Sequence, residues 1–158
     1  MDVPPQLAKH LQEVTRGGNW TGVNLTDTLN GIDYTTATKK MDGFNSIAAL
    51  VFHIGYYAKA ILAVLQKEPL NAHDKYSFDH PPLTSAADWE QLRDQCLANL
   101  ETLAAQIRLF PADQLGETFV DEKYGTYLRN FMGLIEHTHY HLGQIVMIRK
   151  MINEKALG

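Results

Sequence analysis

The sequence predicts an all-α fold, a four-helix bundle built from three long helices and one shorter helix. Three long segments of the 158-residue chain carry apolar residues at the three- and four-residue spacing of a helix face. Capping residues, prolines and glycines fall at the ends of these segments. An apolar fraction of 45% and a charged fraction of 20% indicate a chain that buries a core. We therefore expect one domain over residues 1–158, with long irregular connections between its helices.

The shorter helix is predicted over residues 5–16, between a Pro-Pro pair and a Gly-Gly pair. Proline is favoured in the first helical turn and glycine just past the last one, so the two pairs mark the ends of the helix. Residues 17–44 are rich in glycine and less regular. We expect one or two short helical pieces there, with Asp27 and Asp33 as candidate caps.

The three long helices share a strong apolar stripe with a capping residue or a proline near their ends. They are predicted from Asn45 or Ser46 to Gln66, from Ser85 to Pro111, and from about Thr126 to Asn153. Asp88 follows Ser85 by three residues, as in a capping box. The proline-rich residues 67–85 are predicted to be a loop. For residues 112–125 a small hairpin and an extended loop both remain open.

Charge and composition exclude several classes of function. The net charge is −4 and the basic residues are scattered, so we expect no nucleic-acid partner. Uninterrupted apolar runs are too short to predict a transmembrane helix or membrane partner. The N-terminal residues lack the basic start and apolar stretch of a secretory signal. The single cysteine, Cys96, has no partner for an internal disulfide and reads as a core residue. We expect a cytoplasmic protein.

The histidines form the most informative pattern. His137 and His141 are four residues apart in the last predicted helix, which places them about 40° apart around its axis. Both rings can therefore face one ion, whereas His139 lies roughly 160° from His141 and cannot share it. His53 lies at the border of the apolar face of the second predicted helix. In a bundle, side chains projected inward from facing helices meet in the core, so these three predict a metal site.

Three imidazole ligands leave a coordination position open, which is typical of catalytic rather than structural zinc. Imidazole also binds nickel, copper and iron, and the pattern does not select among them. The spacing alone is only moderately specific, and a packed, hydrogen-bonded histidine stays open as the alternative for His53. The sequence lacks the glutamate base of a His-Glu-x-x-His protease and the second Glu-x-x-His of a di-iron bundle. His73 and His80 read as surface residues, although either can reach over the mouth of the site.

The histidine order carries a family resemblance. Leu50-Val-Phe-His53-Ile is followed, after a long gap, by His137-x-x-x-His141-Leu-Gly-Gln144. This pattern resembles the DinB-like superfamily, which includes the DinB/YfiT-type bacterial bundle proteins. The resemblance implies that His53, His137 and His141 are the metal ligands. It departs from many members at Tyr140, where they carry an additional histidine.

The resemblance also implies metal-dependent chemistry on thiols. Our leading hypothesis is an S-transferase-like reaction in which a divalent ion activates a low-molecular-weight thiol toward a small-molecule substrate. Hydrolysis, with water as the nucleophile, is the close variant. No residue stands out as a general base. Gln144 can orient a ligand or be a surface glutamine, and the Trp20 region can either cover the pocket or simply pack.

The alternative hypothesis is a non-catalytic, metal-binding stress-response or binding module. A homodimer is expected in either case. Family members often pair, and the reverse side of the last predicted helix remains apolar at four positions. These positions are Met132, Tyr140, Met147 and Met151.

Overall fold

The computed structural model describes residues 2–155, and six α-helices contain most of them. The remaining described residues form loops and three single turns of 3-10 helix, and none of them belongs to a β-strand. The helices are α1 (Val3–Arg16), α2 (Leu25–Leu29), α3 (Tyr34–Thr38), α4 (Ile47–Leu65), α5 (Ala86–Arg108) and α6 (Tyr127–Lys155).

Four helices form the bundle. Helix α4 packs between α5 and α6, and α1 closes the ring by packing against the same two helices. The core inside this ring is apolar, with fully buried side chains from all four helices, including Leu11, Ile54, Leu100 and Phe131. The predicted all-α fold is therefore confirmed. Because α4 and α6 are neighbours, the face between them is where His53 meets the two histidines of α6.

Side-chain caps begin two of the long helices that the sequence pattern predicted, α4 and α5. The Ser46 side chain accepts a hydrogen bond from the Ala49 amide at the start of α4. Ser85 and Asp88 form a complete capping box at the start of α5. These caps satisfy amide groups that have no partner within their own helix.

The irregular segment before α4 contains the two short helices α2 and α3. Asp33 caps α3 as predicted, by accepting a hydrogen bond from the Thr36 amide. The expectation for Asp27 is wrong, because Asn24 is the cap of α2 and accepts from the Asp27 amide. The Asn24 side-chain amide also donates to the Asp27 carboxylate, at 2.7 Å, so the two residues cap the helix together.

The connector between α5 and α6 is an extended loop with one isolated bridge, between Thr118 and Thr126. Two single turns of 3-10 helix lie along it, at Ala112–Gln114 and Glu122–Tyr124. The Phe119 amide donates to the Gly125 carbonyl at 2.9 Å and holds the second turn close to the start of α6.

Among the described helices, only α4 is long and apolar enough to cross a membrane by length and composition. In this fold, 67% of its most apolar window is buried inside the molecule. Burial against α5 and α6 accounts for its apolar composition.

Candidate metal centre

Three histidines converge at the interface between α4 and α6. The centroid of the His53 ring lies 4.7 Å from that of His137 and 4.7 Å from that of His141. The two α6 rings are 4.4 Å apart, as expected for side chains separated by one helical turn. One ring nitrogen from each histidine lies within 4.8 Å of the other two. The spacing in the sequence thus becomes a cluster with three nitrogen donors.

Hydrogen bonds orient two of these imidazoles. His53 Nδ1 lies 3.2 Å from the Ser77 carbonyl oxygen, and His141 Nδ1 lies 2.7 Å from Gln144 Oε1. Both oxygens can only accept, so Nδ1 must carry the proton in each ring. The Nε2 atoms of His53 and His141 then carry lone pairs, and that of His53 accepts a hydrogen bond from the facing Nε2 of His137. This arrangement, with an oxygen acceptor behind each ring, is common among metal-binding histidines.

The cluster fits a divalent metal ion in spacing and in donor chemistry. His53 Nε2 and His137 Nε2 are 2.9 Å apart. Two nitrogens on a tetrahedral zinc ion stand about 3.3 Å apart, so a small outward shift accommodates an ion. His137 Nδ1 is buried without a hydrogen-bond partner. The His137 ring is therefore not committed to one orientation by a second contact.

Burial keeps the three imidazoles neutral, which is the form that binds metals. It lowers the pKa of His137 to about 4, and repulsion from protonated His141 and His53 adds to the effect. Burial also lowers the pKa of His53, with a further contribution from His141. The pKa of His141 is lowered by burial, although its hydrogen bond to Gln144 opposes the shift. Near neutral pH each of these rings is therefore unprotonated at one nitrogen, and a metal ion does not have to displace a proton from it.

The loop between α4 and α5 covers one side of the cluster. The Phe78 ring stacks on His53, with the ring centroids 3.8 Å apart and the planes 8° from parallel. Ser77, which provides the carbonyl for His53, is buried. Neither His73 nor His80 joins the cluster, since the His73 ring packs on Tyr76 and His80 Nδ1 faces the Pro81 carbonyl. The loop does cover the site, through Ser77 and Phe78.

Tyr57 forms the wall beside the cluster. Its ring lies 5.1 Å from those of both His53 and His137. The hydroxyl donates to Asp74 Oδ1 at 2.5 Å. Burial raises the pKa of Tyr57 to about 12, and this hydrogen bond adds to the shift. The phenol is therefore a neutral donor that ties α4 to the covering loop, and it is not available as a base near neutral pH.

The other candidate residues lie away from the cluster. His139 faces α1, where its ring is 5.7 Å from that of His10. Trp20 is fully exposed, so it neither covers the histidines nor packs. Cys96 is buried as expected, and burial raises its thiol pKa to about 12.

Two residues that contact the histidine cluster, Ser77 and Phe78, could not be predicted from the sequence pattern. The Ser77 contribution is a backbone carbonyl, which any residue supplies, so the side-chain pattern carries no signal for it. Phe78 stands in a proline-rich loop where an aromatic residue is not diagnostic. The sequence does single out Gln144 as a residue that can orient a ligand, and in the structure its side-chain oxygen accepts a hydrogen bond from His141.

Comparison with known proteins identifies one family. The family model of the DinB superfamily matches residues 19–145, a range that contains all three clustered histidines. Searches of curated proteins and of solved structures returned no significant match.

Proposed function

Because the chain belongs to the DinB superfamily, we propose that it is a metal-dependent enzyme that uses a small thiol as its nucleophile. His53, His137 and His141 are the ligands in this proposal. The observation that carries it is the convergence of three imidazole nitrogens within 4.8 Å at the α4–α6 interface. Membership of the superfamily adds a metal association, and the thiol is our inference from the resemblance of the histidine pattern.

A bound divalent ion supplies one kind of chemistry, the lowering of the pKa of a thiol or water at its open coordination position. The proposed reaction forms a carbon–sulfur bond between the thiol and the second substrate. The thiol loses its proton to solvent, and its sulfur forms a bond to an electrophilic carbon of the second substrate. The bond from that carbon to the leaving group breaks, and the leaving group departs with the electron pair.

The surrounding residues support this role by fixing and shielding the ligands. The Ser77 carbonyl and Gln144 Oε1 hold the rings of His53 and His141 in the tautomer that presents Nε2. Phe78 covers one face of His53 and keeps water from it. Three imidazoles suit zinc, nickel or iron. We place the activity in the cytoplasm, where low-molecular-weight thiols are kept reduced.

An open site favours an enzyme over a module in which the ion has only a structural role. Structural zinc is normally enclosed by four protein ligands. Within the described residues, the candidate ligand group contains three histidines and no cysteine, aspartate or glutamate. A fourth position is therefore left for water or substrate.

Elemental analysis of the purified, untagged protein tests the site. We expect about one divalent ion per chain in the wild type and its loss in His137→Ala. His139→Ala is the matched control, because His139 is on the same helix but faces His10. Metal content that is equal in the wild type and His137→Ala, or absent from both after zinc, nickel and iron are added back, contradicts the proposal.

A transfer assay tests the chemistry. Several thiols are each offered with 1-chloro-2,4-dinitrobenzene, which loses chloride after the carbon–sulfur bond has formed. The metal-loaded wild type should exceed His137→Ala by well over tenfold with at least one thiol, and His139→Ala should match the wild type. If the metal is bound and the rates are equal, the non-catalytic binding module becomes the better hypothesis.

A further inference from the structure

A cleft of about 690 Å³ opens beside the histidine cluster. His137 and Tyr57 line one end of it, so the cleft reaches the cluster at His137. From there it follows the N-terminal half of α6. At its far end it is lined by Lys123, Tyr124 and Arg129. A molecule that reaches the metal ligands through this cleft therefore passes along a defined row of side chains.

The acidic and basic side chains of the cleft lie at opposite ends of it. Glu136 lies beside His137, and the two cations Lys123 and Arg129 lie at the opposite end. Lys123 is partly neutralised, because its Nζ is 3.7 Å from Asp121 Oδ2. Among the ion pairs found within residues 2–155, none includes Arg129. The charged side chains of the cleft thus favour an anionic group at its far end, beside Arg129.

The local structure fixes the backbone at Arg129 and the turn that precedes it. The Thr126 hydroxyl accepts a hydrogen bond from the Arg129 amide at 3.2 Å, at the start of α6. The Asn130 side chain donates to the Tyr124 carbonyl at 3.0 Å and fixes the preceding turn against the helix. A Cβ atom on Gly125 would lie 2.6 Å from Arg129 Cδ. Because Gly125 has no side chain, the Arg129 side chain can pack across this turn.

Gly133 leaves the middle of the cleft open. It lies inside α6, one turn from Arg129 and one turn from His137. A glycine inside a helix is unfavourable by about 1 kcal/mol relative to alanine. Packing does not require it, since a Cβ atom there would meet nothing within 4 Å. The absence of a side chain at Gly133 leaves space in the cleft between Arg129 and His137.

We propose that the cleft recognises a carboxylate-bearing thiol, with Arg129 as the main cation and Lys123 as the second. The thiol part of this inference rests on the proposed function. Eight residues separate Arg129 from His137, which corresponds to about 12 Å along the helix axis. The carboxylate and the sulfur must therefore be separated by several bonds, as in a thiol of peptide size.

Calorimetric titration tests the charge preference without any catalytic readout. The probes are glutathione and its diethyl ester, which has the same thiol but no free carboxylate. Wild-type, metal-loaded protein should bind glutathione about tenfold more tightly than the ester, as expected for one charge-assisted contact. The preference should disappear in Arg129→Gln and fall in Lys123→Gln. It should persist in Lys150→Gln, which removes an exposed cation elsewhere on α6.

A third probe, S-methylglutathione, separates this inference from the proposed function, because it keeps the carboxylates and lacks a free thiol. If Arg129→Gln weakens its binding to metal-free protein, the carboxylate cleft stands even where metal binding fails. If metal binds but the acid and the ester bind alike, the cleft inference is overturned and the metal site is not.

The open space provides a second test. Gly133→Leu should fill the cleft and weaken glutathione binding by tenfold or more, with the metal content unchanged. Gly133→Ala adds only one methyl group and should bind glutathione nearly as the wild type does. Wild-type affinity in a folded, metal-loaded Gly133→Leu protein would overturn the assignment of the cleft.

Discussion

The position of the proton on the rings of His53 and His141 determines which nitrogen of each ring can bind a metal ion. His53 and His141 both carry that proton on Nδ1, because a carbonyl oxygen stands opposite this atom in each case. Without these acceptors, either ring can protonate on Nε2 and then present a donor where a ligand lone pair is needed. The acceptors therefore matter to metal affinity although neither of them contacts the ion in the proposal.

Gln144→Leu should lower metal affinity by about 10- to 100-fold, the usual effect of removing such an acceptor. The helix should stay folded, since Gln144 is not part of the apolar core. Competition with a chromophoric chelator measures the change. Gln144→Glu keeps an acceptor opposite His141 and should retain most of the affinity. Gln106→Leu, at an exposed position of α5, is the control and should have no effect; a similar loss there would contradict this role for Gln144.

At the scale of elements, the site needs two helices and one loop. Helices α4 and α6 bring the three rings together, and the loop between α4 and α5 covers them with Phe78. Two further contacts fasten this loop to α4. The Tyr57 hydroxyl donates to Asp74, and the Tyr56 hydroxyl accepts from the His73 amide at 2.8 Å. The cover is therefore attached to the helix that carries His53.

Phe78→Ala should speed metal release, because the stacked ring protects one face of His53. An aromatic contact of this kind is worth about 1 kcal/mol, so we expect release to become about two- to tenfold faster. The dissociation rate into excess chelator is the measurement. Tyr76→Ala is the matched control, since Tyr76 is an exposed aromatic residue two positions earlier in the same loop. Equal rates in wild type and Phe78→Ala would show that the ring gives no protection.

The elements differ in how far the sequence predicts them. Helix starts at Ser46 and Ser85 depend on side chains within three residues of each other, so the local pattern identifies both. The spacing of the two α6 histidines follows from helix geometry in the same way. The covering loop depends on contacts 17 to 24 residues away in the chain, from Tyr57 to Asp74 and from His53 to Ser77. No period or motif in the sequence encodes such contacts, so the position of the covering loop could be established only from the structure.

For the whole molecule, the buried histidines make metal-free stability depend on pH. The folded pKa of His137 is lowered to about 4, and those of His53 and His141 are lowered as well. The unfolded chain therefore binds more protons than the folded chain at pH values below the ordinary pKa of 6.5. Stability is fully present above that pH and is lost as the pH falls toward 4. The hydrogen bond to the Ser77 carbonyl and, after it, the charge of Asp74 oppose this loss at His53, because both raise the pKa of His53. The hydrogen bond to Gln144 opposes it at His141.

Thermal unfolding of metal-free protein between pH 7.5 and 4.5 measures this dependence. The melting temperature of the wild type should fall with decreasing pH, and His137→Ala should show a shallower slope. His73→Ala is the control, because His73 lies in the exposed part of the loop and should leave the slope unchanged. A wild-type melting temperature that does not change below pH 6.5 would contradict the burial effect.

The outer face of α6 bears on the assembly of the whole molecule. Met132, Tyr140 and Met147 are 46%, 65% and 57% exposed, and all three lie on one side of the helix. An apolar stripe of this kind on a long helix is typical of contact with another protein. The same stripe on a second copy, related by a two-fold axis, is complementary to it, as in most homodimers. The homodimer expected from the sequence would use this face.

Met147→Glu should convert such a dimer to monomers, because the interface would bury one unpaired carboxylate from each copy. Sedimentation equilibrium of the wild type and the variant measures the change as a halving of mass. Leu109→Glu is the matched control, since Leu109 is 80% exposed at the end of α5 and does not lie on α6. The metal content of Met147→Glu should equal that of the wild type, because His53, His137 and His141 all come from one chain. A monomeric wild type would refute the dimer, and a monomeric variant without metal would mean that the site requires the second copy.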